Sequence, residues 1–288
     1  MASTDGAREH ALGLQHLPAC LELSRAAHWN QNAEDWRLML EFGRGYGLTL
    51  SEGTLAASTL TLPYGREFAW VSMVLVLPEH RRHGFATQLL RRALDDLALE
   101  ERLPVLDATP AGREVYRLEG FHDTWGFRRV ALNDSWRETA ESPGGLRVRA
   151  LQALDWPRIA AIDRVAFGAD RESLLRALAM RLPDAALVAE RAGELSGYLL
   201  GRDGREARQL GPLVAQDAPS ARALLAAALA RVEPPIYLDL AEREEDLRAW
   251  LERGGFVFQR PFTRMVRGDS GAPGNTALVV CPAGPELG

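Results

Sequence analysis

The strongest constraint on the fold of this chain is a repeat in the order of its predicted strands and helices. Runs of β-branched and large apolar residues predict strands, and apolar residues spaced three to four apart predict helices. The order β-α-α-β-β-β-α-β-α-β occurs once in residues 8–132 and again after residue 145. The polar segment 133–145 ends in a cluster of serine, proline and glycine, which is typical of a linker. We therefore predict duplication of one α/β unit, with domains at 1–138 and 146–288.

The composition narrows the classes of function. The 288 residues suffice for two domains of ordinary size, and the net charge of −5 excludes general attraction to nucleic acid or anionic membranes. Because the chain has no lysine, its many arginines are not by themselves a sign of phosphate binding. Cys20 and Cys281 stand at opposite ends of the sequence, and two cysteines in a chain of this length do not make a disulfide scaffold, so we expect buried or incidental thiols. The N-terminus lacks the features of a signal peptide, and no apolar run approaches about 20 residues, so we expect a cytoplasmic protein.

The most unusual stretch is PEHRRHGFATQLL at 78–90, where a hydrophobic strand runs into an amphipathic helix through a short basic turn. The first N–H groups of a helix have no partner within the helix, and the macrodipole adds roughly half a positive charge there. Gly84 leaves the backbone open to a ligand, and Ala86 keeps a nearby inward position small. The rim of the turn carries three basic side chains, Arg81, Arg82 and His83. The stretch therefore predicts a site for a pyrophosphate-bearing ligand.

The turn does not match two well-defined phosphate-binding motifs. A Rossmann site requires G-x-G-x-x-G after the strand, which is absent, and a P-loop requires a lysine, which this chain lacks. A basic loop in front of an ordinary surface helix is the plain alternative. We interpret Arg91 and Arg92, further along the helix, as solvated surface residues.

Two spaced motifs connect the first half to a known family. The segment VLVLPEHRRHGFA resembles motif A of the GNAT superfamily of N-acetyltransferases, in which [QR]-x-x-G-x-[GA] follows a strand. The segment TPAGREVYRLEGF resembles that family's N-x-x-A-x-x-x-Y-x-x-x-G-F element, with matches at Tyr116, Gly120 and Phe121. Thr109 stands where the family has asparagine, and Gly112 where it has alanine. The resemblance covers about residues 7–132.

The resemblance implies a fold and a cofactor site. Each half would be an α/β (α+β) domain of GNAT type, a mixed, mostly antiparallel sheet flanked by helices. Acetyl-CoA would lie between the strands 69–77 and 103–108, which splay apart. Along the pantetheine arm the expected contacts are Val74, Leu75 and Val76, and the backbone of Val74 and Val76 would pair with the arm as a strand would. Thr109 and Gly112 are expected near the same arm. The pyrophosphate would be held by N–H groups from Arg82 to Thr87, and its expected contacts are Arg81, Arg82, His83, Gly84, Phe85, Ala86 and Thr87.

The same resemblance suggests the chemistry. An acceptor amine would attack the thioester directly, so the protein would mainly orient two substrates and polarise the carbonyl. Tyr116 is the candidate proton donor to the departing thiolate, with simple packing on an amphipathic helix as the alternative. Asp107, at the end of the splayed strand, is the candidate base, with Glu67 before the central strand as a second choice. Each carboxylate has an alternative role as a solvated or capping group.

The segment HWNQNAEDW at 28–36 is the candidate acceptor wall, because the corresponding segment overhangs the acceptor in the resembled fold. Trp29, Asn30 and Trp36 are the candidate substrate contacts. The alternative is that the tryptophans pack two helices together and that Asn32 and Asp35 cap the second helix.

The second half resembles the degenerate second domain of tandem GNAT proteins. The turn that corresponds to Gly84 carries Asp217, which caps a helix and repels an anion, and the counterpart of Tyr116 is Leu251. We expect this half to dock on the first, to wall the acceptor cleft or to form a homodimer, and the strand-like segment 276–281 to tie the halves together. Arg171 stands near a helix start; we expect it to be exposed, with a carboxylate partner or a ligand as the alternative.

The function predicted from these observations is acetyl-CoA-dependent N-acetylation of a small-molecule amine. The alternative is a non-catalytic acyl-CoA-binding sensor in which the second half relays occupancy. Tyr116 favours the enzyme, because a sensor needs no acid at the thioester. We expect no metal, no nucleic-acid partner and no membrane contact.

Overall fold

The predicted order of elements is confirmed in both halves. A computed structural model describes residues 6–138 and 145–288, so the middle of the predicted linker lies outside the described residues. The first half contains β1 (Arg8–Leu12), α1 (Leu17–Ala26), α2 (Ala33–Phe42), β2 (Arg44–Thr49), β3 (Leu55–Tyr64), β4 (Phe68–Val76), α3 (Phe85–Leu99), β5 (Leu103–Ala108), α4 (Pro110–Leu118) and β6 (Phe121–Leu132).

The second half repeats this order and adds one strand. It contains β7 (Leu146–Ala150), α5 (Trp156–Phe167), α6 (Glu172–Arg181), β8 (Leu187–Arg191), β9 (Glu194–Arg202), β10 (Arg208–Ala215), α7 (Ala218–Leu229), β11 (Ile236–Ala241), α8 (Glu245–Arg253), β12 (Val257–Arg267) and β13 (Val279–Cys281). The predicted last strand of the chain is therefore real but shorter than 276–281.

The described strands form one 13-stranded sheet in which the two halves exchange their last long strands. The order is β1-β2-β3-β4-β5-β12-β6-β11-β10-β9-β8-β7, with β13 beside β10. Strand β12 of the second half thus lies between β5 and β6 of the first, and β6 pairs with β11 of the second half. Among these ladders only β4 with β5 and β10 with β11 are parallel, as a mostly antiparallel sheet requires.

Equivalent residues of the repeat meet at the centre of the sheet. Phe127 on β6 pairs with Phe262 on β12, and their rings stack with centroids 5.1 Å apart. Each phenylalanine follows a Gly-Phe pair at the same distance, in GFHDTWGFRR and GFVFQRPFTR. The strand exchange therefore has an approximate two-fold axis that passes beside these two rings.

Two buried ion pairs flank the approximate axis, one on each side. On one side Arg264 of β12 donates to both oxygens of Asp107 on β5, at 2.9 Å each. On the other side Arg129 of β6 donates to both oxygens of Asp239 on β11, at 2.8 and 2.7 Å. All four side chains are at most 6% exposed. Each pair joins one half to the other, so the exchanged strands carry charges that find partners only in the complete fold.

The hydrophobic interior also crosses from one half to the other. The largest cluster joins Trp36 and Trp70 of the first half to Phe167 and Tyr198 of the second, beneath α1, α2, α5 and α6. A second cluster lies under α7 and α8, and smaller ones lie under α3 and α4. The predicted shared interface is thus a continuous core.

Strand β13 packs in core clusters that span both halves, and the segment after it adds hydrogen bonds to the first half. Strand β13 pairs with β10 of its own half. Beyond it, the buried segment 282–288 reaches the first half, where Tyr64 donates to the carbonyl of Leu287 and the indole of Trp70 donates to that of Pro285.

The expectation that Arg171 is exposed is wrong. Its side chain is buried and donates to both oxygens of Asp163 and to the carbonyl of Gly288. The carboxylate partner that the sequence left as an alternative is therefore present.

We expect Asp239→Ala to destabilise the protein by about 3–5 kcal/mol, because it leaves Arg129 buried and unpaired. Urea unfolding measures the change. As a control, Glu22→Ala removes the partner of Arg25 in a pair whose side chains are 56% and 63% exposed, and should cost less than about 1 kcal/mol. Equal losses for the two variants would show that the exchanged-strand ion pair does not support the fold.

A fragment of residues 1–138 should not fold as a monomer. Without the second half, β6 loses both of its neighbours and β5 loses one, and the exposed strand edges favour association. Circular dichroism with light scattering tests this. A soluble monomer with cooperative unfolding would contradict it.

Candidate active site

The first half contains the predicted splay between two parallel strands. The β4–β5 ladder runs only from Phe68 opposite Leu103 to Trp70 opposite Val105. Beyond that point β4 continues to Val76 and β5 to Ala108 without pairing with each other, while the opposite edge of β5 pairs with β12. The free edge of β4 therefore faces an opening of the kind into which an extended ligand arm could insert as a further strand.

A bulge in β4 sets the direction of its free backbone groups. The β3–β4 register shifts between Ser58 and Leu60, and Met73 has a φ of 49°. After the bulge, Leu75 pairs with Ser58 and the N–H of Leu77 donates to Ala56. Backbone groups alternate in direction along a strand, so those of Val74 and Val76 point away from β3, into the splay, whereas Leu75 faces β3.

The turn after β4 presents open backbone at the start of α3. Gly84 has a φ of 84°, and a Cβ placed there would meet no atom within 4 Å. Arg82 also has a positive φ, of 64°. The side chains of Arg81, Arg82 and His83 are exposed. Helix α3 begins without a side-chain cap and without an acidic residue in its first turn, so its first N–H groups, at Phe85, Ala86 and Thr87, are available to an anion.

The second half closes both parts of the equivalent site. Asp217 accepts a hydrogen bond from the N–H of Ser220 at 2.7 Å and so caps α7 itself. The β10–β11 ladder also stops early, at Leu210 opposite Leu238, but β13 fills the space, with Cys281 opposite Leu213. The chain's own strand therefore occupies the position that a ligand arm would take, which the sequence did not reveal.

Tyr116 lies on α4 and leans back toward the end of β5. A Cβ at Gly112 would come within 2.9 Å of the tyrosine ring, which explains glycine at a position where the resembled family has alanine. The hydroxyl has no hydrogen-bond partner among the described residues. Burial raises the pKa of Tyr116 above its ordinary value, so the phenol is protonated at neutral pH. Thr109 caps the same helix, because its hydroxyl accepts from the N–H of Gly112 at 3.3 Å.

The two candidate bases have different surroundings. Both oxygens of Asp107 are engaged by Arg264, and burial raises the pKa of this carboxyl while Arg264 opposes the shift. The role of Asp107 as a base therefore stays a prediction. Glu67 precedes β4, at the end where β4 and β5 are still paired, and accepts from the backbone of Arg66. It lies at the wrong end of the strand to serve the splay.

The candidate acceptor wall is largely used in contacts within the protein. Trp36 is fully buried and its indole donates to Ser24 at 2.8 Å. Asn32 and Asp35 cap α2, as the packing alternative requires. Asn30 is 2% exposed, and its amide exchanges three hydrogen bonds with the backbone of Glu206 and Ala207.

Trp29 belongs to the same junction. Its ring packs half-buried against the shared core, and its carbonyl accepts from Arg205 at 2.9 Å. A substrate role for Trp29, Asn30 and Trp36 stays a prediction, and the contacts described account for these side chains by packing.

A cavity of about 470 Å³ lies where the exchanged strands cross, and the sequence did not indicate it. We call it the crossing cavity. Its walls come from both halves: Pro110, Arg113, residues 123–126, Glu242 and residues 261–263. The repeated Gly-Phe segments are the part of the sequence that could have indicated this cavity, but only the strand exchange brings them together.

Comparisons with known proteins agree with this geometry. The profile described as the acetyltransferase (GNAT) family matches residues 14–121, and one described as an acetyltransferase (GNAT) domain matches residues 159–279. The uncharacterized N-acetyltransferase YitH of Bacillus subtilis is 23% identical over 244 residues, which cover 84% of this chain and 85% of that protein.

Solved structures share the fold over nearly the whole chain. A putative acetyltransferase from Pyrococcus horikoshii superposes with a TM-score of 0.79 at 19% identity, covering 100% of this chain and 98% of its own. A tandem GNAT protein from the clavulanic acid biosynthesis pathway superposes with a TM-score of 0.66 at 17% identity, covering 92% and 99%. These likenesses establish the two-unit architecture.

Two further properties concern the described residues alone. Their helices are all too short or too polar to cross a lipid bilayer. They contain no group of three or more His, Cys, Asp or Glu side chains placed to hold a metal ion.

We expect Gly84→Ala to weaken CoA binding at least about tenfold, because the new methyl group would stand where the ligand meets the backbone. Calorimetric titration with CoA measures the change. Gly193 offers a matched control, since its φ is 82° and a Cβ there also meets nothing within 4 Å. Gly193→Ala should cost similar backbone strain but leave CoA affinity unchanged. Equal effects of the two changes on affinity would argue against a site at Gly84.

Proposed function

Because the chain belongs to the GNAT superfamily of acyltransferases, with two GNAT domains in tandem, we propose that it transfers an acetyl group from acetyl-CoA to the amine of a small molecule. Acetyl-CoA would supply an activated thioester. The observation that carries the proposal is the contrast between the halves: one splay is open beside an uncapped helix, and the other is filled and capped by the chain itself.

The residues of the first half fit the cofactor. The uncapped start of α3 and the arginines of the turn suit a pyrophosphate, which carries negative charge. The backbone groups of Val74 and the N–H of Val76 suit the amides of a pantetheine arm, which pairs with a strand edge, whereas the carbonyl of Val76 already accepts from Arg81 at 3.4 Å. In the proposed site, the N–H of Val74 polarises the carbonyl that the amine attacks.

Tyr116 stabilises the leaving group in this proposal. Its hydroxyl is unpartnered among the described residues and lies on the helix beside the splay, so it is free to donate to a departing thiolate. With its raised pKa, Tyr116 is a weaker acid than an ordinary tyrosine. We therefore expect it to act chiefly by hydrogen bonding, with full proton transfer as a later event.

The second half supports the site rather than repeating it. We propose the domain boundaries 1–138 and 146–288 for the two repeats, with the first repeat carrying the chemistry and the second completing its sheet. A cytoplasmic location and the absence of nucleic-acid partners stay predictions.

Release of free thiol from acetyl-CoA with a broad amine panel tests the proposed function. An enzyme releases thiol in proportion to acetylated amine over many turnovers. A non-catalytic acyl-CoA-binding sensor binds CoA and releases none, and the comparisons do not favour it.

We expect Tyr116→Phe to lower turnover by about 10²-fold, the low end of the usual range for acid catalysis, with CoA affinity nearly unchanged. The ring that packs on Phe121 remains, so the change removes only the hydroxyl. Steady-state rates with the best amine, together with CoA titration, measure both quantities. Unchanged turnover, under conditions where chemistry limits the rate, would exclude the role.

A further inference from the structure

The crossing cavity adjoins the place where the acyl carbonyl would be held. Strands β4 and β5 are parallel, and Trp70 lies opposite Val105. Three residues beyond this last pair, β4 reaches Met73 at its bulge and β5 reaches Ala108, its last residue. Pro110, which lines the cavity, comes two residues later. An acceptor in the crossing cavity would therefore meet the splay at the level of the bulge.

One charge in this cavity lacks a close partner. Arg113 and Arg117 both donate to Asp123 and hold the pKa of its carboxyl at about 2, so the carboxylate of Asp123 is already engaged by two cations, and Arg117 also pairs with Glu114. The carboxylate of Glu242, contributed by the second half, receives no hydrogen bond from the described residues. Its nearest cation is Arg128, at 3.9 Å, and the Glu242 side chain is 48% exposed.

The position of Glu242 depends on a glycine. A Cβ at Gly126 would lie 2.4 Å from one carboxylate oxygen of Glu242, so the carboxylate lies directly over the bare backbone of β6. The N–H of Glu242 also donates to the carbonyl of Gly126 at 3.0 Å. Trp125 and Phe262 add apolar wall to the same cavity. A negative group beside an apolar wall suits a cation on a short carbon chain.

We propose that the crossing cavity is the acceptor site and that Glu242 selects acceptors that carry a second, cationic amino group. The nitrogen that attacks a thioester must be neutral, and a carboxylate in contact would favour its charged form. Glu242 therefore binds a different nitrogen from the one that reacts. This inference rests on the proposed function, and it makes the second half a contributor to substrate choice.

The test compares straight-chain diamines with monoamines of the same carbon number, using the full chain and acetyl-CoA. The wild-type protein should prefer the diamine in kcat/KM. Glu242→Gln should reduce the diamine-to-monoamine ratio about tenfold, since it removes a charged partner while keeping size. Glu242→Asp should retain part of the ratio. Glu233→Gln, an exposed site on the same half, should leave the ratio unchanged.

A binding measurement supplements the rates. Diamines should raise the melting temperature of the CoA-saturated wild-type protein more than monoamines do, and Glu242→Gln should abolish that difference. Equal use of diamines and monoamines by the wild type, or an unchanged ratio in Glu242→Gln, would overturn the inference and leave the proposed function standing. The absence of thiol release with every amine in the panel would instead overturn the proposed function.

Discussion

The rest of the structure depends on the antiparallel pairing of β6 with β12 at the centre of the sheet. This pairing places each half's last long strand beside the other half's inner strand, and it seals the exchange with two buried, bidentate Arg–Asp pairs. Removing one partner from such a pair leaves an uncompensated charge in the interior, so each half supplies the counter-charge that a buried group of the other half requires. The crossing also creates the cavity that lies between them.

The approximate symmetry of the fold is broken where function requires it. Both halves have a parallel strand pair that opens after three residue pairs. In the first half the opening faces an uncapped helix, whereas in the second it holds β13 and faces a helix capped by Asp217. The same backbone design thus leaves an opening in one copy, where we propose that the cofactor binds, and forms a packing site for the chain's end in the other.

Predictions from short stretches of sequence were correct where a segment determines its own conformation. The turn at Gly84, the cap at Asn32 and the order of strands and helices follow from backbone freedom, capping and periodicity over a few residues. The roles of Trp36, Asn30 and Arg171 were harder to predict. An aromatic or charged side chain can serve a core or a site, and only its neighbours, which come from distant segments, distinguish the two.

Periodicity and the residues of single turns establish that this protein has two copies of one α/β unit and that the first keeps a turn suited to a pyrophosphate. Three other features come from the folded chain: the copies exchange strands, β13 fills the second splay, and Glu242 lines a cavity together with residues of the first half. These depend on register and on contacts between residues more than one hundred positions apart, such as Arg129 with Asp239, and no local pattern encodes such pairings.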